Sequence, residues 1–185
     1  MSQFIKVFWV IRALFYKIFF LKMGFPSYLG KPIFISGHSR ISFGSNVREF
    51  PNARIEVHGN RSILDIKDDV SIGQGVHLIS GGKLVIGKGV TIASYVFINN
   101  MDNDYKEIGI PILKQRTIIN NTIIGENCFV GIGTSIHPGT ILGRQCIVGS
   151  NSVVKGEYPD YCVIVGNPAK IIKKYNKKTK TWDRV

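Results

Sequence analysis

The 185-residue chain has few cysteines and few histidines, and both shortages exclude classes of site. Cys128, Cys146 and Cys162 are an odd number, lie far apart and form no CxxC pair. A disulfide framework and a structural zinc site are therefore excluded, and a reducing cytoplasm is the expected compartment. Four histidines, at positions 38, 58, 77 and 137, include no close pair, so we expect no metal cofactor.

Acidic residues are also scarce. Twelve Asp and Glu stand against 24 Lys and Arg, which gives a formal net charge of +12. Hydrophobic residues make up 44% and charged residues 19%, so the chain is expected to fold as one domain with a short appendage. The positive charge suits phosphates, anionic lipids, acidic glycans or nucleic acid. No recognisable nucleic-acid-binding motif accompanies it, and nucleic acid is not an expected partner.

The N-terminus is apolar but lacks a run free of charge. Lys6, Arg12 and Lys17 interrupt the segment from residue 4 to residue 21, which makes a membrane-spanning helix costly. We predict a helical segment over residues 1–30, ended by Pro26 and Gly30. It either packs on its own domain or on a neighbouring subunit, or lies on the inner face of the cytoplasmic membrane through residues 4–22.

A repeat of six residues is the strongest signal in the sequence. Branched aliphatic residues recur six apart, and a small residue follows four places after each of the first six. The aliphatic residues are Ile118, Ile124, Val130, Ile136, Leu142, Val148 and Val154, and the small ones are Thr122, Cys128, Thr134, Thr140, Cys146 and Ser152. Upstream the same period includes Ile66, Ile72, Leu78, Ile86, Ile92 and Ile98.

Neither a helix nor an alternating strand produces this pattern. A triangular solenoid does, if each short strand points its aliphatic residue to the axis and the small residue fits a corner. Cys128 and Cys146, one coil of 18 residues apart, should then stack as buried thiols. The predicted parallel β-helix covers residues 31–165, with a protruding loop at residues 99–117 and a basic C-terminal extension, a short helix or tail, at residues 166–185.

The hexads and the segment VIVGNPAKIIKKYN resemble the left-handed parallel β-helix acyltransferases, and in particular the acetyl-CoA-dependent O-acetyltransferases of O-antigen and capsular polysaccharide. The resemblance covers residues 40–175. It implies a homotrimer that holds acetyl-CoA between adjacent prisms and transfers its acetyl group to a sugar hydroxyl of a surface polysaccharide or its lipid-linked precursor.

The resemblance also carries over cosubstrate-binding positions. Gly131 with Ile132, and Gly149 with Ser150, occupy the positions that line the pantetheine arm. Lys155 matches a basic position after the final strand. Asn167, Lys170 and Lys173 belong to a motif, GxPA(K/R)xI(K/R), whose basic residues meet the nucleotide phosphates.

Relatives place a general-base histidine on the protruding loop, and the corresponding position here is Asn103. An amide side chain cannot accept a proton. Either the chain carries a deliberate, localised His-to-Asn change that traps substrate, or it is a natural variant that uses another base or has lost activity. Asp102 and Asp104 flank the position, and His77 is a candidate to contact sugar or orient the base. His137 is a less favoured replacement base, and His38 and His58 are expected to be structural or solvated.

Two further functions stay open at this stage. A catalytically impaired chain would be a binding or scaffold protein on the same fold. An N-acetyltransferase acting on an amino sugar would need less help from a base, because an amine is the better nucleophile.

Overall fold

A computed structural model describes residues 3–185. It begins with one α-helix, α1 (Gln3–Tyr16), followed by short strands and two 3-10 turns (His38–Arg40 and Ile112–Lys114) within the described residues. The strands up to the protruding loop are β1 (Lys22–Met23), β2 (Tyr28–Leu29), β3 (Phe34–Ser36), β4 (Ile41–Phe43), β5 (Arg48–Glu49), β6 (Arg54–Val57), β7 (Ile63–Ile66), β8 (Ser71–Ile72), β9 (His77–Ser80), β10 (Lys83–Ile86), β11 (Thr91–Ile92) and β12 (Phe97–Asn99).

The loop and the second half of the chain contribute the remaining strands. They are β13 (Met101–Asn103), β14 (Thr117–Ile119), β15 (Thr122–Ile124), β16 (Phe129–Val130), β17 (Ser135–Ile136), β18 (Ile141–Leu142), β19 (Ile147–Val148), β20 (Val153–Val154), β21 (Glu157–Tyr158), β22 (Cys162–Gly166), β23 (Ala169–Asn176) and β24 (Thr181–Arg184).

Three parallel sheets wrap around one interior, and in residues 3–185 they make about seven coils. Face 1 contains β1, β4, β7, β10, β15, β18 and β21. Face 2 contains β2, β5, β8, β11, β16, β19 and β22, and face 3 contains β3, β6, β9, β12, β17 and β20. The predicted parallel β-helix is confirmed.

The interior is filled by the predicted aliphatic residues. Those of the regular hexads are at most 1% exposed, as are the small residues at the corners from Thr122 to Ser152. Cys128, Cys146 and Cys162 stack in one column, with 3.5 Å between the Sγ atoms of Cys146 and Cys162. The hydrogen bond with Cys146 and burial raise the pKa of the Cys128 thiol, so its place in the column is structural.

One member of the predicted series is wrong. Ile118 is not in the interior but half-buried in β14, where it lies opposite Asp102 in an antiparallel hairpin outside the prism. The stack resumes at Thr122, so the protruding segment runs a few residues beyond the predicted end at 117. Periodicity continued through Ile118 because the hairpin strand happens to share the spacing.

Both ends of the molecule differ from the predicted boundaries. Helix α1 ends at Tyr16, and β1 and β2 already belong to the first coil, inside the segment 1–30 that we expected to be helical. The C-terminal segment forms no helix in the described structure. Instead β23 pairs antiparallel with β22, and β24 pairs with β23, because the edge of face 2 offers unpaired backbone groups to the tail.

Helix α1 closes the N-terminal end of the prism. Trp9 and Ala13 are buried against the first coil, and the Arg12 guanidinium donates to the backbone oxygen of Leu29 at 3.1 Å. The N–H groups of Tyr28 and Gly30 donate to Val47 O and Glu49 O of the next coil. The backbone groups of Leu29, which lies between them, point the other way, out of the end of the stack. Arg12 hydrogen-bonds the carbonyl oxygen of Leu29 at this open end.

Glu49 is the exception in the interior. It occupies an inward position of β5, between Leu29 and Ile72 in register, and is fully buried. Neither carboxyl oxygen makes a hydrogen bond of ordinary geometry within the described chain. Burial raises the pKa of Glu49 to about 8, and the backbone amide of Gly30 and the Arg12 charge oppose this rise. The carboxyl group is therefore mainly protonated near neutral pH.

Candidate functional site

The two corners that bound face 3 carry the predicted site residues. We name the corner between faces 2 and 3, formed by Gly73, Ala93, Gly131 and Gly149, the groove edge. We name the corner between faces 3 and 1, from which the hairpin of β13 and β14 leaves the stack, the loop edge. Ser94 at the groove edge and Asn99 at the loop edge are five residues apart, at most about 16 Å along the chain.

A groove of about 400 Å³ lies at the groove edge. Its walls are Phe50, Ser71, Gly73, Gln74, Thr91, Ile92, Ala93, Ser94 and Ile132. Ile132 is the predicted pantetheine-lining residue that contacts this groove, and it is 47% exposed. The groove is open to solvent and its walls are mainly apolar, and such a surface suits a ligand segment with few charges.

Gly131 and Gly149 are stacked in successive coils. Their amide groups donate to Val148 O and Ile164 O at 2.9 and 2.8 Å, so both N–H groups are used inside the stack. A Cβ added at Gly131 would lie 2.6 Å from the nitrogen of Ser150. Small size, more than hydrogen bonding, is therefore what these positions contribute.

The basic positions of the tail meet this side of the molecule. A register shift in the pairing of β22 with β23 places Lys170 opposite Val165 and Lys173 opposite Val163. Because Val163 and Val165 are the outward residues of β22, both lysines lie on the outer surface of face 2. A regular strand would have put residues three apart on opposite sides. Asn167 lies in the turn before β23.

Lys155 is placed differently. It follows β20 and so lies at the loop edge, away from Ile132 and Ser150. The Tyr158 hydroxyl lies 3.3 Å from Lys155 O and 3.2 Å from Ala169 O, which ties this corner to the start of β23. Gly131, Ile132, Gly149 and Ser150 thus follow the strands of face 2 at the groove edge, Lys170 and Lys173 lie on the outer surface of face 2, and Lys155 lies at the loop edge.

A polar cleft of about 280 Å³ lies at the loop edge. It is lined by His58, Ile79, Asn99, Met101, Asp102 and Asn103. Two of the predicted loop residues, Asp102 and Asn103, thus share one cleft. Asp104 is not among the lining residues, because its Oδ1 accepts the backbone N–H groups of Tyr105 and Lys106 at 2.9 and 3.2 Å and shapes the turn.

Asn100 and Gln115 hold the hairpin in place, and sequence reasoning missed both. Asn100 is fully buried, and its Oδ1 accepts the Gly81 N–H at 2.7 Å. Gln115 is nearly buried; its amide contacts Glu107 and Ile110 across the loop at 2.8 to 3.1 Å. An amide inside an irregular loop gives no periodic signal, so its anchoring role could not be read from the sequence.

Glu56 connects two histidines beside the cleft. Its Oε1 lies 3.1 Å from His77 Nε2 and 2.6 Å from Arg54 Nε, and its Oε2 lies 3.3 Å from His58 Nε2. The Arg54 hydrogen bond lowers the pKa of Glu56, with His77 and His58 acting in the same direction against partial burial. The predicted residue His77 packs on Phe97 with ring centroids 5.3 Å apart and does not line the cleft.

Among residues 3–185 no group of three His, Cys, Asp or Glu side chains could hold a metal ion. That no metal takes part stays a prediction.

A short-stranded parallel solenoid with an ejected hairpin and two clefts defines a class of transferases, the hexapeptide-repeat enzymes. Residues 121–156 match the model of the bacterial transferase hexapeptide family (six repeats). Over 160 residues the chain is 35% identical to the lipopolysaccharide biosynthesis O-acetyl transferase WbbJ of Escherichia coli, which covers 83% of this chain and 81% of that protein.

One further relative and one solved structure are also similar to the chain. The dTDP-4-amino-4,6-dideoxy-D-glucose acyltransferase of Escherichia coli is 32% identical over 168 residues, which covers 85% of this chain and 86% of that protein. The crystal structure of the N-acyltransferase AntD of Bacillus cereus, in complex with dTDP and 3-hydroxybutyryl-CoA, superposes with a TM-score of 0.76 at 23% identity over 91% and 90% of the two chains. The chain belongs to the hexapeptide-repeat transferase family and is an acyltransferase.

Proposed function

We propose that the protein transfers an acetyl group from acetyl-CoA to a sugar hydroxyl of a bacterial surface polysaccharide, O-antigen or capsule, or of its lipid-linked precursor. The similarity to WbbJ over most of both chains is the observation that carries this proposal. The polar cleft at the loop edge is the acceptor site, and the apolar groove at the groove edge holds the pantetheine arm of acetyl-CoA.

The cosubstrate supplies an activated thioester, and this chain supplies the surfaces that hold it. Ile132 and the stacked positions Gly131, Gly149 and Ser150 would accommodate the arm, with Lys170 and Lys173 beside its phosphates. Ile132 contacts a groove whose open surface and apolar walls suit the arm. At the other edge, the Asn103 amide can donate to and accept from a sugar hydroxyl and so orient it, with Asp102 beside it.

The working unit in this proposal is a homotrimer. The groove and the cleft lie at opposite edges of face 3. Within one protomer, the bound thioester and the acceptor would therefore be separated by about the width of that face. A neighbouring prism that sets its loop edge against this groove edge completes the site. Outward apolar side chains on face 2, among them Phe129 and Ile147, at 44% and 38% exposure, support an assembly that covers them.

The test is acetyl transfer by the purified full chain. Acetyl-CoA is supplied with a panel of p-nitrophenyl hexosides, and with a 4-amino-4,6-dideoxyhexoside as the amine control. Thiol release and the product mass are then measured, and light scattering gives the oligomeric state. We expect O-acetylated hexoside and a trimer. Acetyl-CoA binding without any product would instead assign a scaffold role.

The second candidate is N-acetylation of an amino sugar. The side chain at position 103 cannot accept a proton, which an amine acceptor tolerates better than a hydroxyl does. The 32% identical relative is named as an acyltransferase of an amino sugar. Preference for the aminohexoside by more than tenfold in kcat/KM would favour this candidate over the first.

Peripheral membrane binding is a further part of the proposal. No helix of residues 3–185 has the length and hydrophobicity needed to cross a membrane. The outer side of α1 and the segment after it nevertheless expose large apolar side chains to solvent: Phe8, Ile11, Phe15, Ile18, Phe19, Leu21 and Phe25. Lys17 and Lys22 lie in the same segment, so the patch combines apolar and positive character.

That combination suits an anionic lipid surface, which also holds the lipid carrier of a polysaccharide precursor. The double variant Phe15→Asp with Ile18→Asp should abolish flotation with vesicles that contain phosphatidylglycerol, because it places charge in the apolar face. The control Ile108→Asp changes a fully exposed apolar residue of the protruding loop and should float as the unmodified chain does. Equal flotation of both variants contradicts this part of the proposal.

A further inference from the structure

His58, which we expected from the sequence to be structural or solvated, lies at the loop edge. His58 follows β6 and donates its backbone N–H to Ser80 O at 2.8 Å, which fixes it at the loop edge. Its ring lines the same cleft as Asp102 and Asn103. About half of its side chain, 48%, stays accessible. It is therefore the histidine that the fold presents to whatever occupies the cleft.

Glu56 favours one tautomer of the His58 ring. The Arg54 guanidinium stabilises Glu56 as a carboxylate. The Nε2 atom of His58 lies 3.3 Å from Glu56 Oε2, which is an ion-pair distance. The negative carboxylate therefore favours the tautomer with its proton on Nε2, and Nδ1 then keeps a lone pair in the neutral ring. A carboxylate beside a histidine also stabilises the imidazolium that forms when the ring accepts a proton.

We propose that His58 is the catalytic base of this acyltransferase, with Glu56 as the residue that positions it; the proposal rests on the acetyl-transfer function given above. His58 Nδ1 takes the proton of the acceptor hydroxyl held beside Asn103. The hydroxyl oxygen forms a bond to the thioester carbonyl carbon. The C–S bond then breaks, and the leaving coenzyme A thiolate takes up the proton from the His58 imidazolium.

His77 shares Glu56 but differs from His58 in its position. Its Nε2 also faces the carboxylate, and its ring packs on Phe97 outside the cleft. We assign it the role of holding Glu56 in place. His137 lies in the coil on the other side of the hairpin, in line with Asn99, with its Nε2 3.5 Å from Ser135 Oγ. His137 does not line the cleft. It is nevertheless the alternative candidate for the base.

The experiment compares kcat for acetyl transfer to p-nitrophenyl hexosides among single variants of the full chain. His58→Gln retains an N–H donor for Glu56 and removes the proton acceptor. We expect kcat to fall by about a hundred- to ten-thousandfold, with acetyl-CoA affinity and thermal stability unchanged. His137→Gln is the matched histidine control, and we expect it to lose less than tenfold. His77→Gln loosens the hold on Glu56 and should lose no more activity than Glu56→Gln does. His58→Ala should regain activity when imidazole is added.

Glu56→Gln should lower kcat by about tenfold while leaving KM for acetyl-CoA unchanged, since it alters the orientation of His58 and not the groove. Asn103→His should raise kcat by less than tenfold, because the chain already has a base in the cleft.

Each contrary result has a defined meaning. If the unmodified chain acetylates no acceptor in the panel, the proposed function fails and this inference fails with it. If the unmodified chain is active and His58→Gln keeps its kcat within tenfold, the function stands and the assignment of His58 is wrong. A large loss in His137→Gln, or a rise of a hundredfold or more in Asn103→His, also overturns it.

Discussion

The two edges of face 3 are built on different principles. The groove edge is made of residues that the coil repeats, with Gly73, Ala93, Gly131 and Gly149 at equivalent corners. The loop edge is made of residues that break the repeat: a hairpin, a buried Asn100 and a histidine held by Glu56. Regular backbone thus forms a repeated surface at one edge, and the irregular insertion supplies polar side chains at the other. In the proposed function the first binds the cosubstrate and the second the acceptor.

Glu49, in the interior that both edges share, gives the largest expected effect, which is on the free energy of unfolding. Glu49 has a pKa of about 8 in the folded state, against about 4.3 in an unfolded chain. The folded state therefore keeps a proton that the unfolded state releases, and the free energy of unfolding falls as pH rises from about 4 to about 8. The loss is on the order of 4 kcal/mol.

Glu49→Gln should remove this fall, which urea unfolding at pH 5 and pH 8 can measure. Because Glu49 touches neither edge, acetyl-CoA affinity and kcat should not change when compared at a pH where both chains are folded. A wild-type stability that is flat over this range would contradict the buried, protonated carboxyl group.

Ser94→Trp tests the groove edge alone. The indole would fill the groove beside Ile132, so we expect acetyl-CoA affinity to fall by about a hundredfold, or about 2.7 kcal/mol. Calorimetric titration measures the affinity, and Lys88→Trp, at an exposed turn on the corner between faces 1 and 2, is the matched control. Unchanged affinity would show that the thioester binds elsewhere and would remove the distinction between the edges.

Gln115→Ala tests the loop edge alone and should have the smallest effect on the whole molecule. The side chain makes three hydrogen bonds within the loop, and their loss costs about 1–3 kcal/mol of loop ordering. We expect faster hydrogen exchange over residues 104–116 and a kcat lowered by about tenfold. The melting temperature should shift by less than that of any interior variant, since the hairpin lies outside the stack.

The six-residue repeat predicts the groove edge but not the loop edge. Spacing alone predicted the interior, the small corner residues and the stacked thiols of Cys128 and Cys146, because each depends on local sequence that recurs. It failed at Ile118, where a hairpin strand imitates the period, and at the tail, where the open edge of face 2 imposes strand pairing on a segment expected to be helical. Contact with a distant backbone edge leaves no local signature.

Only part of the candidate site could be predicted from the sequence. The resemblance placed Asp102, Asn103 and Ile132 on their clefts, but it could not show that Lys170 and Lys173 share a surface, which a register shift decides. The proposed role of His58 could not be predicted from the sequence, because its neighbours Glu56 and Arg54 lie in an entry coil with loose hexads. Its role depends on which side chains the coils bring to one corner, and two isolated histidines in a sequence do not reveal that.

Helix α1, which covers the first coil, also affects whether copies of the protein can associate end to end. A bare solenoid ends in a row of hydrogen-bonding groups that another copy could continue, and repetition of that contact would produce a fibre. The Arg12 guanidinium on Leu29 O occupies part of that row, and the antiparallel tail reverses the chain direction at the far side. Copies can therefore associate side by side while axial polymerisation is blocked, so the protein can be abundant without forming filaments.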